Sequence, residues 1–99
     1  MNPLKIKETC LYVHDLEEAK RFYNKVLGLS IISYVNGKHI FFRAGSSVLL
    51  CFNPEDSILK TTPQAHYGSG KLHFAFEVAE AEYLQVKDEI KSKGISIYC

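Results

Sequence analysis

The chain has 99 residues, enough for one compact domain and too few for two of ordinary size. Hydrophobic residues make up 46%, aromatic residues 12% and charged residues 23%, which is typical of a globular protein and excludes a disordered or fibrous one. The formal net charge of +1 gives no reason to expect a nucleic-acid partner, and no apolar run approaches the roughly 20 residues that would span a membrane.

The amino-terminal stretch MNPLKIKE lacks the apolar segment of a secretory signal, so we expect a cytoplasmic protein. The three cysteines, Cys10, Cys51 and Cys99, are far apart and have no CxxC spacing. This pattern predicts neither a disulfide framework nor a thiolate zinc site. We expect Cys10 and Cys51 to be buried, unreactive thiols.

A loose alternation of polar and apolar residues predicts a first strand over residues 6–14. Asp15 then favours the start of a helix, because it is a good N-cap and Glu18 three residues later completes a capping box. Gly28 is placed to end that helix in a left-handed conformation. The two faces of the strand differ: Leu11 and Val13 lie on one, and Glu8, Cys10 and Tyr12 lie on the other.

Three further strands are predicted from LSIISYV, KHIFFR and SVLLCF, which gives the order βαβββ. Asn36 and Gly37 join the first two as a hairpin in which both residues are expected to have positive φ. His39, beside this turn, is expected at the surface. Phe41, Phe42 and Phe52 are expected in the core.

The second half begins with a connector over residues 54–70, which has little periodicity. Strict alternation in KLHFAFEV then predicts a half-buried strand with His73 and Glu77 on its polar face. A helix is predicted from Glu80 to Lys93, with Tyr83 among its inward residues, and Gly94 ends it. The final ISIYC predicts another strand.

The two halves repeat one pattern. Placing Glu8 on His73 aligns the strands and brings Gly28 onto Gly94 after one inserted residue. We therefore predict a single α+β domain over residues 1–99, with module one at 5–53, the connector at 54–70 and a partial module two at 71–99.

The segment LYVHDLEEAKRFYNKVLGL, followed later by GKLHFAFEV, resembles the vicinal oxygen chelate superfamily, also called the glyoxalase/bleomycin resistance/dioxygenase superfamily. The resemblance covers nearly the whole chain. It implies paired βαβββ modules forming an incomplete barrel around a cleft, with the second module truncated here to βαβ. In metal-dependent members, a divalent metal in the cleft binds neighbouring substrate oxygens.

The resemblance also implies site residues. Glu8 and His73 fall on the first-strand metal-ligand positions of the two modules, and they would serve Mn, Fe, Zn or Ni. Leu50 falls where some members carry a glutamate ligand. The closing strand of a second module is not among these residues. Without that resemblance, Glu8 alone would be a solvated edge charge, and His73 with Glu8 a hydrogen-bonded pair.

Tyr12, Leu50 and Glu77 are predicted to contact the substrate, and the catalytic residue is not assigned. For Tyr12 and Glu77 the alternatives are a general base and plain solvent exposure. The leading functional prediction is a divalent-metal-dependent lyase, isomerase, oxygenase or thiol transferase acting on a small molecule. The alternatives are a metal-free drug-binding or other small-molecule-binding protein and a non-catalytic dimerising module. A homodimer is expected in each case.

Overall fold

The computed structural model describes residues 1–57 and 73–96. Module one contains four strands: β1 (Glu8–Tyr12), β2 (Ser30–Val35), β3 (His39–Ala44) and β4 (Ser47–Phe52). Its helix begins as α1 (Leu16–Lys20) and continues as a π-helical segment (Arg21–Val26); a short helix, α2 (Pro54–Ser57), follows β4. A 3₁₀ turn (Glu80–Glu82) leads into α3 (Tyr83–Ser92). The predicted βαβββ order of module one is confirmed.

The four strands form one open sheet in the order β1-β4-β3-β2. β1 runs parallel to β4, while β3 is antiparallel to both β4 and β2. A parallel pair needs a long crossover connection, and here that connection contains α1 together with the β2-β3 hairpin. The first and last strands of the module therefore lie side by side.

The helix begins as predicted at Asp15, whose side chain accepts a hydrogen bond of 3.1 Å from the backbone N–H of Glu18. Its second half widens into the π-helical segment, where the Leu27 N–H donates to the carbonyl of Phe22. The chain then turns at Gly28, which has φ 81° as the sequence indicated. The side chain of Asn24 donates to the carbonyl of Leu29 at 2.8 Å and holds this exit.

The hydrophobic core lies between α1 and one face of the sheet. Leu16 and Ala19 of the helix pack against alternate residues of β3 and β4, which are Ile40, Phe42, Leu49 and Cys51. Ile40, Phe42 and Cys51 have no exposed surface. Cys51 is thus the buried thiol that was expected, whereas Cys10 is only half-buried.

The β2-β3 turn differs from the prediction. Gly37 has φ 79°, but Asn36 does not have positive φ. The pair that closes the hairpin is Val35 and His39, so three residues form the loop, and the Lys38 N–H donates to the carbonyl of Val35 at 2.9 Å. With the longer loop, only the third turn residue needs the left-handed region, as in a type II turn.

The second module follows its predicted pattern in part. Residues 73–79 are assigned no regular structure and pair with none of the described strands. Phe74 nevertheless packs on the core, with its ring centroid 6.4 Å from that of Tyr23. α3 ends before Gly94, whose φ of 81° equals that of Gly28. Tyr83, predicted to face inward, is 56% exposed because none of the described residues covers it.

Other predictions fall wholly or partly outside the described residues. Most of the connector, Leu72 and the end of ISIYC lie there, while the described residues 95–96 are assigned no regular structure. In the described part of the chain, no helix is both long and apolar enough to cross a membrane.

Candidate functional site

The sheet face turned away from α1 is the candidate site, and we call it the open face. Since side chains alternate along a strand, the residues next to the buried core positions share this face. The strand register arranges them in three rows across β3, β4 and β1. The rows are Arg43, Val48 and Glu8; Phe41, Leu50 and Cys10; and His39, Phe52 and Tyr12.

Aromatic rings form the floor at one end of the open face. The rings of His39 and Phe41 stack with centroids 4.1 Å apart and planes 11° from parallel. Phe41 also meets Phe52 edge to face at 5.4 Å, and Phe52 is 8% exposed. The His39 Nε2 lies 3.0 Å from the hydroxyl of Ser33 on β2. These contacts fix the imidazole above an apolar floor.

Cys10 and Tyr12 are neighbours on β1 and interact through their side chains. Burial raises the pKa of the Cys10 thiol, although its hydrogen bond with Tyr12 partly opposes that effect. The same hydrogen bond raises the pKa of Tyr12, and burial adds to it. Both groups therefore keep their protons at neutral pH. Cys10 is not a ready nucleophile, because nucleophilic attack requires the thiolate.

Three of the predicted site residues, Glu8, Tyr12 and Leu50, lie together on the open face. Glu8 is exposed, and Tyr12 and Leu50 are half-buried. Glu8 and Leu50 occupy adjacent rows, so a molecule resting on the sheet could touch both.

His73 and Glu77 lie in a different part of the molecule, where they line an open groove of about 1240 Å³. The groove runs between the amino-terminal residues, the start of β4 and α3, and Thr9 is the β1 residue that lines it. Glu8 precedes Thr9 and so faces the other side of the strand. No hydrogen bond or ion pair joins Glu8 to His73, both of which are described residues.

A catalytic metal usually has three protein ligands. Within residues 1–57 and 73–96, no group of three or more His, Cys, Asp or Glu side chains could hold a metal ion. These residues alone do not fit a complete metal site.

Sequence reasoning missed His39 and Arg43 and misplaced Phe41. His39 was expected at the surface, but it is half-buried on the open face; Phe41, expected in the core, lies beside it. The signal that could have located them is the alternation of residues along β3. Because Ile40 and Phe42 are buried, alternation puts His39, Phe41 and Arg43 on the opposite face.

Residues 5–98 match the family described as the Glyoxalase/Bleomycin resistance protein/Dioxygenase superfamily. The chain is 32% identical to a lactoylglutathione lyase from Agrobacterium tumefaciens, with TM-score 0.86 over 99% of this chain and 76% of that one. It is 20% identical to a glyoxalase/bleomycin resistance protein/dioxygenase from Nocardioides (TM-score 0.72; 100% and 68% covered). A fosfomycin resistance protein from Listeria monocytogenes, solved with Mn(II) and 1S,2S-dihydroxypropylphosphonic acid, is also 20% identical (TM-score 0.63; 100% and 71% covered).

Proposed function

The chain belongs to the glyoxalase/bleomycin resistance protein/dioxygenase superfamily, and on that premise we propose that it is a divalent-metal-dependent enzyme acting on a small oxygen-chelating molecule at the open face. Lyase, isomerase, oxygenase and thiol-transferase reactions are all compatible with such a site. The lyase comes first, because the similar structure at 32% identity is a lactoylglutathione lyase.

The observation that carries this proposal is the position of Glu8. Its carboxylate is exposed on the open face, one row from Leu50 and Cys10. An exposed carboxylate that has no ion pair with any described residue offers oxygen ligands that a divalent cation can bind without displacing a protein partner. Glu8 would then anchor both the metal and the substrate that the metal binds.

The proposed ligands are Glu8 and His73, which would supply an oxygen and a nitrogen to Mn, Fe, Zn or Ni. Because Glu8 and the groove that holds His73 lie on different sides of β1 within one chain, the two would meet at one ion only if they came from two chains. When bound, such a metal polarises substrate oxygens as a Lewis acid. Since the described residues do not complete the site, the remaining ligands must come from elsewhere in the protein or from a partner chain. In the proposed homodimer, the second chain could supply these ligands.

The other residues of the open face would bind and orient the substrate. Tyr12 keeps its proton because its pKa is raised, so its hydroxyl can donate a hydrogen bond to a substrate oxygen. Leu50 would contact the apolar part of the substrate. Glu77 remains a proposed substrate contact. The substrate would touch it only if one molecule extended from the open face into the groove.

Metal analysis of the purified protein tests the proposal directly. The protein is loaded with Mn²⁺, Zn²⁺ or Ni²⁺, dialysed and measured by mass spectrometry together with the Glu8→Gln and His73→Ala variants. The matched controls are Glu82→Gln and His14→Ala, which change exposed residues elsewhere. Stoichiometric metal in the parent and the controls, lost in both site variants, supports the proposal. Retention of metal by both site variants would contradict it.

A metal-free binding protein is the second candidate, and Leu50 favours it. The side chain is apolar and half-buried at a central position of the open face. By the family resemblance, some members carry a glutamate ligand at this position. If the parent protein takes up no metal but binds small aromatic molecules, this candidate replaces the first. If it binds neither and light scattering shows a stable dimer, the dimerising module is favoured.

A further inference from the structure

One row of the open face carries two opposite charges held apart. Arg43 on β3 and Glu8 on β1 flank Val48 on β4, and each is its register partner. Neighbouring strands lie about 4.8 Å apart, so two spacings separate the backbones of Arg43 and Glu8 by roughly 10 Å. Among the described residues, neither side chain forms an ion pair.

The side chain of Arg43 cannot reach an acidic partner on the side of the sheet covered by α1. Phe42, its neighbour along β3, is fully buried beneath α1, and alternation directs Arg43 to the open face. The row next to it contains Phe41 and Leu50, which are both half-buried. A guanidinium therefore stands at the border of an apolar surface, on the far side of Val48 from the proposed metal ligand Glu8.

A guanidinium binds carboxylates and phosphates with two parallel hydrogen bonds, and it keeps its charge at every physiological pH. We propose that the substrate of this site carries such an anionic group, which Arg43 binds, and an adjoining apolar group, which packs on Phe41 and Leu50. This inference rests on the proposed function for the location of the site. It does not depend on whether a metal binds.

The test compares benzoate with benzamide, which share a phenyl ring and differ in charge. Both are titrated into the ¹⁵N-labelled protein in the presence of a chelator, and binding is followed by NMR shifts of β1, β3 and β4. We expect benzoate to bind about fivefold more tightly than benzamide, a factor that corresponds to about 1 kcal/mol. The Arg43→Gln variant should lose this preference, whereas Arg21→Gln, the matched control, should keep it. The Phe41→Ala variant should weaken both ligands.

The two proposals fail differently. Equal binding of benzoate and benzamide by the parent protein, an unchanged preference in Arg43→Gln, or no shifts on the open face with either probe would overturn the anionic substrate. The proposed metal dependence is tested separately, by the metal content of the purified protein. A metal-free protein that still prefers benzoate through Arg43 would support the present inference and refute metal dependence.

Discussion

The ammonium group of Lys93 donates a hydrogen bond of 2.5 Å to the backbone carbonyl of Val26, joining the end of α3 to the end of the π-helical segment. Both helices then reach a left-handed glycine, Gly94 in one case and Gly28 in the other. The contact therefore links equivalent points of the two repeated modules. It also satisfies a carbonyl at a helix end, where no intrahelical donor remains.

Lys93 should contribute measurably to stability. Replacing it with alanine removes the bond to Val26 and a 3.4 Å ion pair with Glu89, so we expect a loss of about 1 kcal/mol in the free energy of unfolding. Urea denaturation measures this change. Lys91→Ala removes an exposed side chain in the same last turn of α3 and should change stability by less than about 0.5 kcal/mol. Equal effects of the two substitutions would contradict the role assigned to Lys93.

Replacing Gly28 should lower the stability of the protein because of its backbone conformation. Its φ is 81°, yet an added Cβ would meet no atom within 4 Å outside residue 28 and its two chain neighbours. Gly28→Ala should therefore cost about 1 kcal/mol, from the local clash of Cβ with the backbone in the left-handed conformation and not from any clash with the rest of the protein. Gly28→Asn should cost less, because asparagine tolerates this region. Thermal denaturation of both variants checks the ranking, and an alanine variant as stable as the parent would exclude this explanation.

A buried and an exposed isoleucine of the sheet should respond differently to the same small deletion. Ile40 has no exposed surface, so Ile40→Val should destabilise the protein by about 1 kcal/mol. Ile32 on β2 is 46% exposed, and Ile32→Val should have an effect below about 0.5 kcal/mol. Chemical denaturation of the pair under identical conditions gives the comparison. A larger effect at Ile32 would mean that its side chain is covered in solution.

Alkaline pH should destabilise the fold through Cys51. Burial raises the pKa of this thiol from 9.0 to about 12. The folded state therefore holds a proton that the unfolded state releases above pH 9, and this contribution to stability is lost as pH rises from about 9 towards 12. The slope approaches about 1.4 kcal/mol per pH unit for one proton. Urea denaturation at pH 8 and pH 10, with reductant, should give a smaller decline for Cys51→Ala than for the parent.

Leu50→Glu should strengthen metal binding if the proposed function is right. The new carboxylate would stand one row from Glu8 on the same face and would add a ligand to an incomplete set. We expect about tenfold tighter Mn²⁺ binding by calorimetry, a factor that corresponds to about 1.4 kcal/mol for the added ligand. Leu50→Gln is the matched control, since it is similar in size but carries no charge. No gain over that control would count against a metal beside Glu8.

Local sequence pattern predicted much of module one. The Asp15 cap, the Gly28 exit and the strand faces depend on neighbouring residues, so they could be read directly. The parallel pairing of β1 with β4 could not, because no local signal names a distant partner. The resemblance to a known family supplied the candidate ligands instead.

The limits of pattern are clearest at residues 73–79. Their alternation predicts a strand, but a strand also requires a neighbour to receive its hydrogen bonds, and none of the described strands provides one. Tertiary structure also sets the relation of His73 to Glu8: His73 lines the groove, whereas Glu8 faces the other side of β1. For this reason the sequence could suggest the two ligands but could not establish that they meet.

The parallel ladder between β1 and β4 also sets an order of events during synthesis. β1 leaves the ribosome first, yet its partner ends at Phe52, so the emerging strand must wait several seconds at ordinary elongation rates. Before β4 emerges, the hairpin formed by β2 and β3 is the only ladder that the described strands of this sheet can form, and β4 then adds to β3. Nascent chains of this protein should therefore begin folding at the middle of the module and finish at its edge.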